Sequence, residues 1–163
     1  MKLTTLTISS LLICFVLGLG SIAVSAQSEK ENVIAAARAL ESGPLDKDSA
    51  KSTERALKWL IETDEVSLIV CGGTFGTFSD KKNKNSSNMT MGYTIGMGAY
   101  RIQNPTADEN AVQLAGLETA LKVYEVAVKE KPKTKFDSIE ALLAKRAAGE
   151  LAALVASFDC GKK

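Results

Sequence analysis

The sequence predicts an all-α fold, a compact bundle of five or six helices, on three observations. Apolar residues recur at intervals of three and four along most of the chain, which is the period of an amphipathic helix. Helix-ending residues separate these stretches, at Gly43-Pro44, Asn104-Pro105 and Pro132. Only Val66 to Cys71 has the apolar, β-branched composition of a strand, so we expect at most one short extended segment there.

Two helices are predicted ahead of that segment. The first opens on the capping-box pattern Ser28-x-x-Glu31 and ends before Gly43-Pro44. The second begins near Asp46 or Asp48 and ends around Thr63-Asp64. The run from Val66 to Cys71 is short enough to be a buried helical turn instead of an extended segment.

Three helical stretches are predicted after it. The Gly-rich run from Cys71 to Phe78 and the polar run from Asp80 to Ser87 are expected to be irregular. The helical stretches then cover Met89 to Asn104, Asp108 to Lys131, and Asp137 to Phe158. Gly149 is expected to kink or split the last of them, which is why the count is five or six.

The first 26 residues have the pattern of a secretory signal peptide. Lys2 gives a positive start, and Val24-Ser25-Ala26 supplies small residues for cleavage. The apolar stretch between them is roughly 12 residues long, short of the about 20 that cross a bilayer as a helix. We therefore expect a signal peptide at 1–26, a single helical domain at 27–163, and a secreted or periplasmic location. The alternative is an uncleaved N-terminal anchor.

Cleavage changes the cysteine count and the charge. The chain has three cysteines, and removing Cys14 leaves Cys71 and Cys160, which we expect to form one disulfide in an oxidising compartment. Two unpaired buried thiols are the alternative. Removing Lys2 leaves 19 basic against 19 acidic side chains, so no global field favours nucleic acid or anionic lipid. No membrane insertion is expected once the signal peptide is gone.

The composition also argues against catalysis. The chain has no histidine, which excludes His-based triads, Cys–His dyads and HExxH zinc sites. The run Cys71 to Phe78 lacks the lysine of a phosphate-binding loop. We expect no catalytic residues, no cofactor and no metal. A hydrolase that uses carboxylates alone is the enzymatic alternative.

The third predicted helix carries two features of interest. Gly92-x-x-x-Gly96 predicts close packing against a neighbouring helix. The same helix carries adaptable methionine and tyrosine side chains, which form a candidate contact face or, alternatively, ordinary core: Met89, Tyr93, Met97 and Tyr100. Just before and at its start, Asn85-Ser86-Ser87 and Asn88-Met89-Thr90 fit the N-glycosylation pattern, in or beside a loop expected to be exposed.

One family resemblance covers the chain from Cys71 onward. Cys71 is followed by Gly92-Tyr93-Thr94-Ile95-Gly96, and then by Phe158-Asp159-Cys160 with Lys162-Lys163 after it. This order resembles small exported immunity proteins that neutralise amidase effectors of type VI secretion. The resemblance implies a compact helical domain that inhibits a secreted enzyme. The chain differs from that pattern in its long insertion between Cys71 and Gly92 and in the two helices that precede the matching part.

From these observations we expect an exported, non-enzymatic protein that binds a protein partner in the cell envelope. An immunity-type inhibitor is one version of this function. The alternative from another class is a carrier that holds a small apolar ligand between helices, in space opened by the glycines of the third helix. The sequence leaves the oligomeric state open.

Overall fold

The computed structural model describes residues 20–44 and 46–160, with side chains from Ser28 onward, and this part of the chain is all-α as predicted. It contains seven α-helices and one 3₁₀ turn, which are α1 (Gly20–Ser42), α2 (Lys47–Glu62), α3 (Gly72–Gly76), α4 (Ser86–Gln103), α5 (Glu109–Glu130), the 3₁₀ turn (Pro132–Thr134), α6 (Asp137–Ala147) and α7 (Leu151–Ser157). The helix count exceeds the predicted five or six for two local reasons. The Gly-rich run forms the short helix α3, and Gly149, at φ +74°, separates α6 from α7.

The first helix begins earlier than its capping box predicts. Because the backbone from Gly20 is already helical, Ser28 lies inside α1 rather than at its N-cap. The predicted signal peptide falls mostly outside the described residues, which begin at Gly20. Its last seven positions, 20–26, form the start of α1. Among the helices described, none is long and apolar enough to cross a membrane.

The two central helices, α4 and α5, pack closely because glycines line their contact. A Cβ atom added to Gly96 would lie 2.6 Å from the Cβ of Thr119, and one added to Gly92 would lie 2.9 Å from a methyl group of Val123. From the other side, a Cβ on Gly116 would lie 2.8 Å from the carbonyl oxygen of Tyr93. The close packing predicted from Gly92-x-x-x-Gly96 is therefore confirmed.

Apolar side chains form two clusters on either side of this helix pair. One joins α4 and α5 to α6 and α7, and its largest members include Phe78, Tyr93 and Tyr124. The other packs α1 and α2 against Ile95 and Val123. The half-buried Leu68 contacts both clusters. The run from Val66 to Cys71 is thus anchored where the two clusters meet.

Residues 66–71, which we call the exposed segment, form neither helix nor strand. Val66 and Cys71 are buried and Leu68 is half-buried, whereas Ser67, Ile69 and Val70 are exposed. The alternation from Val66 to Ile69 is the period-two pattern of extended backbone, and Cys71 has extended dihedral angles of φ −81° and ψ 117°. The structure therefore favours the extended interpretation of this run over a helical turn.

Candidate functional site

The inner side of the exposed segment is held by buried polar side chains. Gln113 of α5 donates through Nε2 to the carbonyl oxygen of Ile69, and its Oε1 accepts from the hydroxyl of Tyr93. The backbone of Cys71 and the side chain of Thr74 also lie against that hydroxyl. Both Tyr93 and Gln113 are fully buried. Burial raises the pKa of Tyr93 to about 12, so its hydroxyl keeps the proton that it donates.

The same network continues to the loop between α4 and α5. Gln113 Nε2 also donates to Glu109 Oε1 at 3.1 Å, and Glu109 Oε2 pairs with Arg101 Nη2 at 2.7 Å. Arg101 Nη1 donates to the carbonyl oxygen of Ala107 at 2.5 Å. The side chains of Arg101 and Glu109 are only 17% and 16% exposed, so water screens this ion pair weakly. The network therefore fixes the exposed segment relative to the ends of α4 and α5.

An open cleft of about 370 Å³ lies beside the exposed segment. A second ion pair, between Lys30 of α1 and Glu65 at 2.6 Å, joins the Arg101–Glu109 pair in its wall. We call this open cleft the Glu109 cleft. It is lined by Lys30, Glu65, Val66, Ser67, Ile69, Arg101, Ile102, Pro105 and Glu109. Its charges are paired within the protein, and its apolar surface comes chiefly from Ile69, Ile102 and Pro105.

Apolar surface and unpaired backbone coincide in the exposed segment. Ile61, Ile69 and Val70 are the large hydrophobic side chains that stand exposed in the described part of the chain, at 75%, 50% and 56%. Two of the three are adjacent here. The backbone N–H and C=O groups of Leu68 and Val70 make no hydrogen bond to any other residue that the structure describes. An arrangement of this kind is available to other chains, whose backbone can supply the missing hydrogen-bond partners.

The structure places Cys71 and Cys160 together, as the sequence analysis predicted. Cys71, at the end of the exposed segment, lies at disulfide distance from Cys160, which follows α7, with Cα atoms 5.5 Å apart. Phe158 packs over Gly73, where an added Cβ would lie 2.6 Å from its ring. The C-terminal end of the described chain is thereby fixed to the start of α3.

The candidate contact face on α4 is corrected by the structure. Met89, Tyr93 and Met97 have no exposed surface, and Tyr100 is half-buried. Helix α4 lies between the α1–α2 pair and α5, so nearly every side of it has a neighbour. These side chains are core, which was the alternative interpretation. The apolar surface lies instead at Ile69 and Val70, to which the sequence analysis assigned no contact role.

The loop that carries the first glycosylation pattern is less exposed than predicted. Asn85 is 5% exposed, and its Nδ2 donates to the carbonyl oxygen of Thr134 at 3.0 Å. The neighbouring Asn83 is buried too and donates to the carbonyl oxygen of Phe78 at 3.1 Å. A glycan on Asn85 would take the place of its interior contact, so this fold does not accommodate one. Asn88 is half-buried at the start of α4.

Gln113 is the residue of the candidate site that the sequence analysis missed. It precedes Leu117, Ala120 and Tyr124 at intervals of four, three and four, so it occupies a core position of α5 by spacing. An amide side chain at such a position needs buried hydrogen-bond partners. A glutamine on the apolar stripe of α5 was therefore the sequence signal that could have identified Gln113. Its partner Ile69 lies 44 residues away in the sequence, a distance at which spacing gives no information.

The chain was also compared with known proteins. It matches no protein-family model, no curated protein and no solved structure. Within the ranges described, no group of three or more cysteine, aspartate or glutamate side chains is placed to hold a metal ion. The site is therefore interpreted from its own geometry.

Proposed function

We propose that the protein is an exported, non-enzymatic binding protein of the cell envelope, and that it contacts its protein partner through the exposed segment and the Glu109 cleft. The observation that carries the proposal is the position of Ile69 and Val70. These apolar side chains are about half exposed, and they adjoin backbone groups that lack partners among the described residues. Their burial against a partner would remove apolar surface from water and satisfy those groups together.

The arrangement of the site supports a specific contact rather than a merely adhesive patch. Gln113 and the Cys71–Cys160 pair hold the exposed segment from inside, so it loses little conformational freedom on binding. The ion pairs Lys30–Glu65 and Arg101–Glu109 place polar groups beside Ile69 in the wall of the Glu109 cleft. An apolar centre with a polar rim is the usual composition of a protein interface.

Export is supported by two features that are independent of each other. The first is the signal-peptide pattern of residues 1–26. The second is the pairing of Cys71 with Cys160 at disulfide distance, because disulfides persist mainly in oxidising compartments. Together they favour a secreted or periplasmic location.

An immunity-type inhibitor is one version of this function, and the resemblance from Cys71 onward supports it. The carrier alternative has less support, because side chains occupy the space directly above the glycines of α4. The positions above Gly92, Gly96 and Gly98 are occupied by Val123, Thr119 and Leu60. An apolar ligand between the helices would have to displace these side chains.

The proposal is tested by capture of envelope or secreted proteins on immobilised protein, with two matched variants. Ile69→Asp introduces a charge in the exposed segment, and Ile61→Asp introduces the same charge at an exposed residue of α2 outside the cleft. We expect a defined partner to be retained by the wild type and by Ile61→Asp, and lost with Ile69→Asp. Capture of no protein, or equal capture by both variants, would contradict the proposed function.

A further inference from the structure

We propose that the exposed segment also binds a second copy of this chain, as two antiparallel strands related by a twofold axis at Ile69. The inference rests on the proposed function, since it takes the same surface to be a protein-binding one. Three observations carry it: which backbone groups are already paired, which residues then face each other, and how charge is distributed along the segment.

The pairing of the backbone groups defines a free edge. In extended backbone, the N–H and C=O groups of successive residues point to opposite edges of the strand. The carbonyl oxygen of Ile69 points to the inner edge, because Gln113 Nε2 donates to it. The groups of Leu68 and Val70 therefore point to the outer edge, where they have no partner among the residues described.

A twofold axis at Ile69 satisfies these groups in both copies. Leu68 of each copy then lies opposite Val70 of the other, and each such pair exchanges two backbone hydrogen bonds. Ile69 faces its own counterpart at a non-hydrogen-bonded position, where side chains approach most closely. This pairing also places Ile69 of the second copy on the face where the Glu109 cleft is open.

Charge selects the antiparallel direction. Glu62, Asp64 and Glu65 precede the segment, whereas residues 66–79 carry no charge. Parallel pairing in register would place these carboxylates opposite one another, which destabilises a sheet. Antiparallel pairing about Ile69 ends before α3 begins at Gly72, so it places no carboxylate opposite another carboxylate. It therefore avoids repulsion between like charges along the whole segment.

The size of the contact sets the expected affinity. A strand pair of this length buries less surface than the about 1,200–2,000 Å² of a standard interface. We therefore expect a weak, concentration-dependent dimer that forms in the micromolar to millimolar range. A weak dimer of this kind leaves the same edge available to a different protein that binds it more tightly.

Cysteine cross-linking tests the register. In a Cys14→Ala background, Ile69→Cys places two thiols on the twofold axis with Cα atoms about 4.5 Å apart, within disulfide reach. The matched control Ile61→Cys places a thiol at an exposed residue of α2, outside the exposed segment. Mild oxidation of concentrated protein should give a covalent dimer joined at position 69 and leave Ile61→Cys monomeric. Equal cross-linking of the two variants, or none, would overturn the register.

A charge exchange tests the association itself by sedimentation of the purified protein across a concentration series. The wild type should shift from monomer to dimer, and Ile69→Asp and Ile69→Lys should each lose this shift. A mixture of the two variants should regain it, because opposite charges then face each other at the axis. The variants Ile61→Asp and Ile61→Lys should sediment as the wild type does. Circular dichroism and cooperative unfolding would confirm that each variant is folded.

A wild type that stays monomeric, or a mixture that does not associate, would overturn the inference. If Ile69→Asp still abolishes capture of an envelope protein in that case, the proposed function stands without the dimer. If the dimer forms as described and no other protein is captured, the inference stands and the proposed binding of an envelope partner falls.

Discussion

Gln113 on helix α5 donates a hydrogen bond to the carbonyl oxygen of Ile69, 44 residues earlier in the chain, and so joins the buried interior to the most exposed apolar run. The same amide accepts from the Tyr93 hydroxyl and donates to Glu109. A single side chain thereby fixes the inner edge of the exposed segment. The backbone groups of the outer edge have no partner among the residues described, and we propose that another chain binds there.

Tyr93→Phe should lower the stability of the protein. The substitution removes the hydroxyl that donates to Gln113 Oε1 and leaves this buried oxygen without its donor. An unsatisfied buried polar group costs about 1–3 kcal/mol. We expect the free energy of unfolding in urea to fall by about that amount, with little change in the urea dependence.

The matched control is the double variant Tyr93→Phe/Gln113→Leu. Because the two residues are partners, the double variant should lose less than the sum of the two single losses. Strict additivity would show that the Tyr93–Gln113 bond contributes nothing of its own.

Gly116→Ala should destabilise the packing of α4 on α5. The added methyl group would lie 2.5 Å from Met97 Cγ and 2.8 Å from the carbonyl oxygen of Tyr93, and backbone cannot move aside as a side chain does. Overpacking of this kind costs about 1–3 kcal/mol. Gly76→Ala in α3 is the control, because nothing lies within 4 Å of its added methyl group. Thermal unfolding should separate the two variants, and similar midpoints would contradict the close approach at Gly116.

Cys160→Ser should reduce stability by a few kcal/mol. The cysteines are 89 positions apart, and the chain-entropy estimate for closing such a loop is about 4–5 kcal/mol. Reductant should lower the unfolding midpoint of the wild type to that of the variant, and it should leave the variant unchanged. Peptide mapping without reductant should recover the Cys71 and Cys160 peptides joined. An unchanged midpoint, or two free thiols, would contradict the pairing.

Stability should fall between pH 10 and pH 12. Burial raises the pKa of Tyr93 to about 12, and burial together with the Glu140 carboxylate, to which its hydroxyl donates, raises the pKa of Tyr124 to about 12. Below pH 10 both residues keep their protons in the folded and the unfolded chain, so their contribution is complete. Between pH 10 and pH 12 only the folded chain keeps them, so stability falls as pH rises.

Urea unfolding at a series of pH values checks this dependence. The double variant Tyr93→Phe/Tyr124→Phe removes both groups, so its stability should depend less on pH in this range. Tyr100→Phe is the matched control, since it removes the remaining tyrosine of the chain. An equally steep fall in the double variant would assign the pH dependence to other groups.

The sequence predicted the helices well because their signals are local. The stripe on α5 and the proline after it define that helix within a few residues, and the Cys71–Cys160 pairing followed from counting cysteines. The start of α1 was wrong because helical backbone continues through Ser28 from Gly20. A capping box acts as a start only when the preceding residues are not helical.

The candidate site was predicted less well because it depends on contacts between distant residues. Met89, Tyr93 and Met97 have the composition of a contact face, but α4 has neighbours on nearly all sides, and these side chains are buried. Ile69 and Val70 look like core in sequence and are exposed, because the bundle covers only the Val66 and Leu68 side of the segment. Which side of an apolar run is covered depends on the tertiary fold.

The central claim is that the outer edge of the exposed segment is an unpaired edge that binds protein. Amide hydrogen exchange at Leu68 and Val70 tests it most directly, because the N–H groups of these residues lie on that edge. In dilute protein these two amides should exchange about as fast as those of an unstructured peptide, while the amides inside α5 stay protected. In concentrated protein both should slow, whereas the Ile69→Asp variant should show no such change. Slow exchange of both amides in dilute wild type, or exchange that does not depend on concentration, would contradict the account.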